Sequence, residues 1–357
     1  MRIAQVAPLW ESVPPRLYGG TERVVFILTE ELVRLGHDVT LFASGDSKTA
    51  ARLISPCSKA LRLNEKNISD PLIYYTLMLE QIYQEAENFD LIHFHIENLQ
   101  YPLFRRSHVP FVSTLQSRLD VPDLIPLYHE YAEVPVVAIS NSQRKPLPWL
   151  NWQATVSHGL PKDALTYGSG EGQYLAFLGR ISPEKGIEEA IEIAKRVGMK
   201  LKIAAKIGTQ DFAYYESVVK PLLDHPLIEF LGEIGEADKS EFLGCAKALL
   251  FSIDWPEPFG MVMIESMACG TPVIAFNRGS VPEVIDDGIS GFVVDTVNQA
   301  VRAVYDIDIL DRRRIRDVFE ARFSADRMTD QYLRVYESLL ETSNQVVSLD
   351  RWRQSIL

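Results

Sequence analysis

Two carboxylates separated by seven residues, Glu257 and Glu265, stand in Trp255-Pro-Glu257-Pro-Phe259-Gly260-Met-Val-Met-Ile-Glu265-Ser-Met-Ala-Cys-Gly270-Thr-Pro272, which follows a buried apolar run and opens a helical one. At the carboxyl edge of a doubly wound sheet, such a junction aims the amides of Phe259, Gly260 and Met261 at an anion. Gly260 carries no side chain to keep a ligand off the backbone. The two carboxylates could then reach different parts of one elongated ligand. Residue type alone leaves a plainer account open: Glu257 in a solvated turn, Glu265 favoured near the positive end of a helix. Upstream, Gly179-Arg180-Ile-Ser-Pro-Glu-Lys185-Gly186 puts a guanidinium just after a strand and an ammonium near the start of the next helix. Arg180 offers a planar fork for phosphate oxygens and Lys185 a compact point charge. Either one in isolation would read as ordinary surface charge.

Asp90-Leu-Ile-His93-Phe-His95 alternates so that both histidines share one strand face. With Glu97 they could supply three metal ligands, but no distant Cys, His or Asp cluster completes such a site, and no metal is expected. A buried, hydrogen-bonded histidine is the ordinary alternative for either ring. Tyr18-Gly19-Gly20-Thr21-Glu22-Arg23 offers glycines and a helix N-terminus to a phosphate or a second substrate, or is simply a tight turn. Ser140-Asn141-Ser142 occupies a comparable strand edge, where small polar residues commonly cap helices. Asp306-Ile-Asp308 lies in helical text among charged neighbours and reads as surface charge, not as a metal-binding pair.

The elements that would position these groups form two α/β series. Strands are expected at Ile3 to Ala7, Val39 to Ala43, Leu91 to Ile96, Phe111 to Thr114 and Val136 to Ile139. Helical text carries Val24, Ile27, Leu28, Leu32 and Leu35, and again Tyr74 to Glu87. From Ser157 to Gln173 a polar, glycine-rich stretch without periodicity suits an interdomain linker. The second series expects strands at Tyr174 to Leu178, Leu201 to Ala205, Ile228 to Leu231, Ala248 to Ile253 and Val273 to Phe276. A helix from about Glu184 shows its stripe in Ile187, Ala190, Ile191, Ala194 and Val197. The reading is a Rossmann-like first domain, 1–160, and a Rossmann-like second domain, 173–324, with the terminal helix, about 325–357, free to pack back on the first.

The Glu-Pro-Phe-Gly setting, the seven-residue spacing and the following Ala-Cys-Gly-Thr-Pro-Val resemble the signature of family-4 retaining glycosyltransferases with the GT-B fold. The resemblance runs from Gly19-Gly20 to Glu283 and implies two Rossmann-like domains facing a central cleft. It implies a hexosyltransferase, metal-independent and retaining, that takes a nucleoside-diphosphate sugar as substrate and uses no cofactor. Glu257 would approach the donor sugar, Glu265 would hold the nucleotide ribose, and the backbone of Phe259, Gly260 and Met261 would meet the sugar hydroxyls. Arg180 and Lys185 match the family's diphosphate-binding pair, where fixed cations stabilise the charge that builds on the leaving group. Asp90-x-x-His93-x-His95 resembles a segment whose histidine reaches the donor sugar, His95 being the choice and His93 the fallback. Gly19 and Gly20 resemble the family's first-loop glycines beside the donor phosphates, and Ser140 joins the donor-binding set. Two departures stand out: Gly279-Ser280 replaces the usual Gly-Gly before Pro282-Glu283, and His158-Gly159 the usual Asn-Gly. An epimerase or phosphorylase on the same fold, or a non-catalytic nucleotide-sugar sensor, would share the donor site. A dinucleotide oxidoreductase is disfavoured because no Gly-x-Gly-x-x-Gly follows the first strand.

Bulk properties agree with two cores. The chain has 357 residues, 46% hydrophobic, and a formal charge of −12, which disfavours nonspecific binding to nucleic acid. Arg312-Arg313-Arg314 and Arg316 lie among Asp306, Asp308, Asp311 and Asp317 and read as a solvated helix face. Cys57, Cys245 and Cys269 are odd in number and far apart, which fits a reducing compartment. With no signal-peptide pattern and no apolar run of about 18 residues, a cytoplasmic enzyme is expected, without integral membrane contact and with peripheral association left open. The acceptor is not legible.

Overall fold

The computed structural model describes residues 1–356 apart from 18, 63 and 65–67, with side chains described through 343. The chain divides into two compact units: residues 1–139, 144–157 and 325–357 form one, and residues 140–143 with 158–324 form the other.

The first unit is built on a seven-stranded parallel sheet of β1 (Arg2–Val6), β2 (Asp38–Phe42), β3 (Arg52–Ile54), β4 (Leu91–Phe94), β5 (Phe111–Thr114), β6 (Val136–Ala138) and β7 (Trp152–Thr155), in the order β3-β2-β1-β4-β5-β6-β7. Successive residues serve opposite faces. Ala4, Val6, Phe42, Ile92 and Phe94 pack with Met78 and Ile82 of α2 (Leu72–Glu85), while Leu41, Ala43 and Ala7 pack with Val25 of α1 (Gly20–Arg34). Parallel strands covered on both faces are largely apolar, and in β1 and β4, buried almost end to end, the buried polar residues Gln5 and His93 are hydrogen-bonded.

The second unit carries a six-stranded parallel sheet of β8 (Tyr174–Ile181), β9 (Lys200–Ile207), β10 (Ile228–Gly232), β11 (Ala248–Phe251), β12 (Val273–Phe276) and β13 (Gly291–Val294), in the order β10-β9-β8-β11-β12-β13. Its helices include α3 (Ile187–Val197), α4 (Glu236–Gly244), α5 (Met261–Ala268) and α6 (Arg312–Arg322). The last helix, α7 (Ala325–Ile356), belongs to the first unit and lies against α1. In both sheets the strand order reverses at one place, between β1 and β4 and between β8 and β11. At such a switch point the connections leave in opposite directions and open a crevice at the carboxyl ends of the strands.

The glycine-rich stretch expected to be a linker is part of the second unit. Gly168 N–H donates to Cys269 O at 3.0 Å, Gly170 N–H to Gly244 O at 3.0 Å and Gly172 N–H to Cys245 O at 2.8 Å. A Cβ on Gly168 would lie 2.1 Å from Gly244 O, so the glycine there permits close backbone packing and does not act as a flexible spacer. Gly168→Ala should accordingly destabilise the protein by about 1–3 kcal/mol in urea unfolding, the cost of overpacking; a flexible linker would tolerate the methyl group.

The arginine cluster also differs from expectation. Arg313 and Arg314 face solvent, but Arg312 donates to Gly244 O at 2.8 Å and to Thr271 Oγ1 at 2.7 Å, and Arg316 donates to Leu165 O at 3.1 Å. Two of the four therefore turn inward to satisfy carbonyls and a hydroxyl of neighbouring loops, which a charge count along the sequence does not reveal. Asp306 and Asp308 are exposed, and Asp308 pairs with Lys247. Among the described residues, no helix is long and apolar enough to cross a membrane.

Candidate functional site

In the second unit the residues singled out above gather around the β8–β11 switch point. Arg180 lies near the end of β8, and the single turn Pro183–Lys185 carries Lys185 just beyond it. The segment after β11 is stitched to that turn: Asp254 N–H donates to Glu184 O at 2.9 Å and Ser252 Oγ to Gly186 O at 2.5 Å. These bonds bring Lys185 Nζ to 2.5 Å from Glu257 Oε2. Trp255 Nε1 donates to the same oxygen at 2.6 Å, and the Lys185 ammonium sits 4.8 Å from the centre of the Trp255 ring.

A third loop, after β12, fixes the backbone of this segment. Ser280 N–H donates to Glu257 O at 2.9 Å. Gly279 has φ +56°, and a Cβ there would fall 2.3 Å from Glu257 N, so a side chain is barred by both conformation and contact. The two departures from the family pattern meet at Phe259. Ser280 Oγ donates to Phe259 O at 2.9 Å, and the His158 ring packs edge-on against the Phe259 ring with centroids 4.8 Å apart. Each non-standard residue thus makes a contact that holds Phe259 in place. Gly260 and Met261 follow at the start of α5, where the first amides of a helix have no partner within it.

Arg180 and Glu265 engage other partners. Arg180 is held by Glu184 at 2.5 Å and by Asp211 at 3.5 Å. Burial works against ionisation of Glu184, yet its hydrogen bonds and the Arg180 charge bring its pKa below the ordinary carboxylate value. Glu265, buried on α5, accepts from Lys239 Nζ of α4 at 2.6 Å. Neither Lys239 nor Trp255 was identified from the sequence. Trp255 stands inside the glutamate segment and could have been found as the only aromatic donor there, whereas Lys239 lies 26 residues from its partner with no motif around it. Ser140 belongs to this unit as well, and its hydroxyl accepts the Gln143 N–H at 3.1 Å. That bond is the capping alternative, and Glu283 supports the same turn by accepting from Asn141 N–H at 2.7 Å and Ser142 N–H at 2.6 Å.

In the first unit, Gly19 and Gly20 follow β1 and His95 follows β4, so both stand at the β1–β4 switch point. Gly20 opens α1, and nothing lies within 4 Å of where its Cβ would be. Tyr18 lies outside the described residues. Of the two histidines, His93 is enclosed: Nδ1 is 2.7 Å from Tyr336 Oη of α7 and Nε2 is 2.7 Å from Thr114 Oγ1. Burial, with His95 alongside, drives its pKa well below the ordinary histidine value. His95 Nε2 lies 3.1 Å from Gln5 Oε1, and Gln116 Nε2 lies 3.2 Å from His95 Nδ1. Because Gln5 Nε2 donates to Tyr336, its oxygen accepts from His95, which places the His95 proton on Nε2. Glu97, with φ +60°, turns its carboxylate to the amides of Gln116 and Ser117 at 3.1 Å each. Burial raises its pKa.

In the second unit, His158 introduces a pH dependence. Burial lowers its pKa to about 3. The unfolded chain takes up a proton near pH 6.5 and the folded one does not, so the stability it secures is complete above about 6.5 and is lost as pH falls toward 3. Between about pH 7.5 and 5, unfolding free energy should fall by about 2 kcal/mol through His158. His158→Asn should remove that share of the loss, read as urea midpoints at the two pH values.

Residues 168–320 match the family described as Glycosyl transferases group 1, and residues 18–156 match Glycosyltransferase Family 4. A putative glycosyltransferase of Bacillus subtilis, YtcC, is 28% identical over 199 residues, 50% of this chain and 48% of that protein. An uncharacterized glycosyltransferase of Methanocaldococcus jannaschii is 25% identical, with 96% of this chain and 99% of that protein covered. The match spans about half the length of the first two curated relatives. Among solved structures, Anabaena HepE in complex with UDP and glucose aligns with a TM-score of 0.73 at 16% identity, over 95% of this chain and 100% of that one, a likeness of fold.

Proposed function

We propose that this chain, which belongs to the family-4 glycosyltransferases with the GT-B fold, moves a hexose from a nucleoside-diphosphate sugar to an acceptor hydroxyl, without a metal and with retention of configuration. The observation that carries the reading is the Lys185–Glu257 pair at the switch point of the second sheet, 2.5 Å apart, beside the first amides of α5. The bond between the sugar's anomeric carbon and the diphosphate oxygen breaks, and its electron pair leaves with the diphosphate. A bond from the same carbon to the acceptor oxygen forms, and the proton of the acceptor hydroxyl passes to the released diphosphate. Lys185 and Arg180 meet the charge gathering on the leaving group, and act where a bound metal would otherwise act.

Glu257 takes the sugar side, with the backbone of Phe259, Gly260 and Met261 toward its hydroxyls. Glu265 takes the nucleotide ribose. In the first unit, Gly19 and Gly20 serve the phosphates, and His95 reaches the sugar by exchanging one of its two glutamine bonds for a sugar hydroxyl. Ser140 contributes through the turn it caps. HepE's complex with UDP and glucose supports a nucleoside diphosphate as ligand class. The three free cysteines support a reducing, cytoplasmic setting.

The test is a panel of nucleotide sugars assayed for released nucleoside diphosphate in EDTA, with and without simple acceptors. Release from one donor that persists in EDTA is the expected result. Isomerised donor with no release would indicate an epimerase, a requirement for inorganic phosphate would indicate a phosphorylase, and binding without turnover a sensor.

A further inference from the structure

Two hydrogen-bond donors converge on one oxygen of Glu257, and the function proposed above uses only one of them. Lys185 Nζ and Trp255 Nε1 stand 2.5 Å and 2.6 Å from Oε2. Lys185 cannot give its full charge both to this carboxylate and to a diphosphate. When it turns to the diphosphate, Glu257, whose side chain is only 11% exposed, loses its counter-charge. A buried carboxylate in that state is strongly unfavourable unless another donor stays with it.

Trp255 is placed to be that donor. Glu257 N–H donates to Trp255 O at 2.8 Å across Pro256, and Ser280 N–H holds Glu257 O at 2.9 Å, so tryptophan and glutamate are fixed to one another without help from Lys185. The indole N–H is neutral and single, and does not need to leave for phosphate. Its ring face, 4.8 Å from the ammonium, gives Lys185 a resting position that a diphosphate outbids easily, since cation–π attraction is weaker than a charge-assisted bond.

We propose that Trp255 is a positioning residue whose indole N–H holds Glu257 in place while Lys185 moves its ammonium from that carboxylate to the ligand's diphosphate. This rests on the assignment of Lys185 to the diphosphate made above. Without the N–H, Glu257 keeps a tighter hold on Lys185, and diphosphate binding weakens.

The experiment is calorimetric titration of the full chain with inorganic pyrophosphate and, separately, with UDP. Trp255→Phe keeps the ring and loses the donor; it should bind pyrophosphate about 10-fold more weakly than the unaltered chain. Lys185→Met should also bind weakly, and the double variant should bind no more weakly than Lys185→Met alone, because the indole acts through the lysine. Trp255→His, which restores a ring N–H, should recover part of the affinity and provides a second variant should Trp255→Phe unfold. Equal affinity of Trp255→Phe and the unaltered chain would overturn the proposal, as would the same loss in both lysine backgrounds, the mark of a merely structural role. An unaltered chain that binds neither probe would instead sink the diphosphate assignment, and this proposal with it.

Discussion

Lys185→Ala should lower turnover of the donor by about 10²- to 10³-fold while moving the unfolding free energy by only about 1 kcal/mol. The asymmetry follows from what the ammonium does in each state. In the unliganded chain it neutralises Glu257, which still keeps the indole bond from Trp255 at 2.6 Å when the lysine is removed. In the transition state it meets more negative charge than the bound donor carries, so its loss raises the barrier as well as KM. Arg180 does not substitute, because it already meets its own share of the leaving-group charge in the unaltered chain and accounts for part of the residual rate. Released nucleoside diphosphate at saturating donor gives the rate, and a urea titration the stability. A rate within threefold of the unaltered chain would remove Lys185 from the mechanism.

Burial along the strand separates most of those that apolar pattern revealed from those it missed, although β10, a half-buried edge strand, was also read, from Ile228 to Leu231. Strands with a neighbour on each side, such as β1, β4, β11 and β12, are buried along almost their whole length and announce themselves as short apolar runs. The three not anticipated, β3, β7 and β13, all lie at sheet edges, and they are short or half-buried. Gly291 opens one and Gln153 interrupts another, so neither offers a run to read. Glycines posed the opposite difficulty. Gly168 looks the same in sequence whether it loosens a linker or lets two backbones touch, and only the position of Gly244 decides between them.

The candidate site was legible where its groups follow strands in order. Spacing placed Arg180 and Lys185 just after a strand ending at Leu178 and Glu257 after β11; β8 runs on to Ile181 and takes in Arg180, and the topology makes β8 and β11 neighbours. What spacing could not give was the partner of each charge. Trp255 and Lys239 serve glutamates through contacts set by loop stitching and helix packing; the first carries a donor inside the motif, the second no signal at all. For the histidines, alternation put His93 and His95 on one face, but only the packed fold shows that Tyr336 of the returning α7 and Thr114 of β5 enclose His93 while Gln5 and Gln116 hold His95.

The largest stability effect is expected at a residue with no place in any motif. Lys239→Met should lower the unfolding free energy by about 3 kcal/mol. Lys239, 8% exposed, places its ammonium 2.6 Å from Glu265, which is 3% exposed, and methionine would fill the space of the aliphatic stem while removing this positive charge from beside a buried carboxylate. Exposed pairs such as Lys220–Glu216, where both side chains stay in water, should change stability by well under about 1 kcal/mol when broken. The sign of a second substitution separates charge from packing. Adding Glu265→Gln to Lys239→Met removes the buried negative charge that the lysine had balanced and should recover most of the loss, whereas a defect of packing would persist or deepen. Urea unfolding of the two single variants and the double variant decides between these outcomes, and it does so whether or not Glu265 also meets the nucleotide.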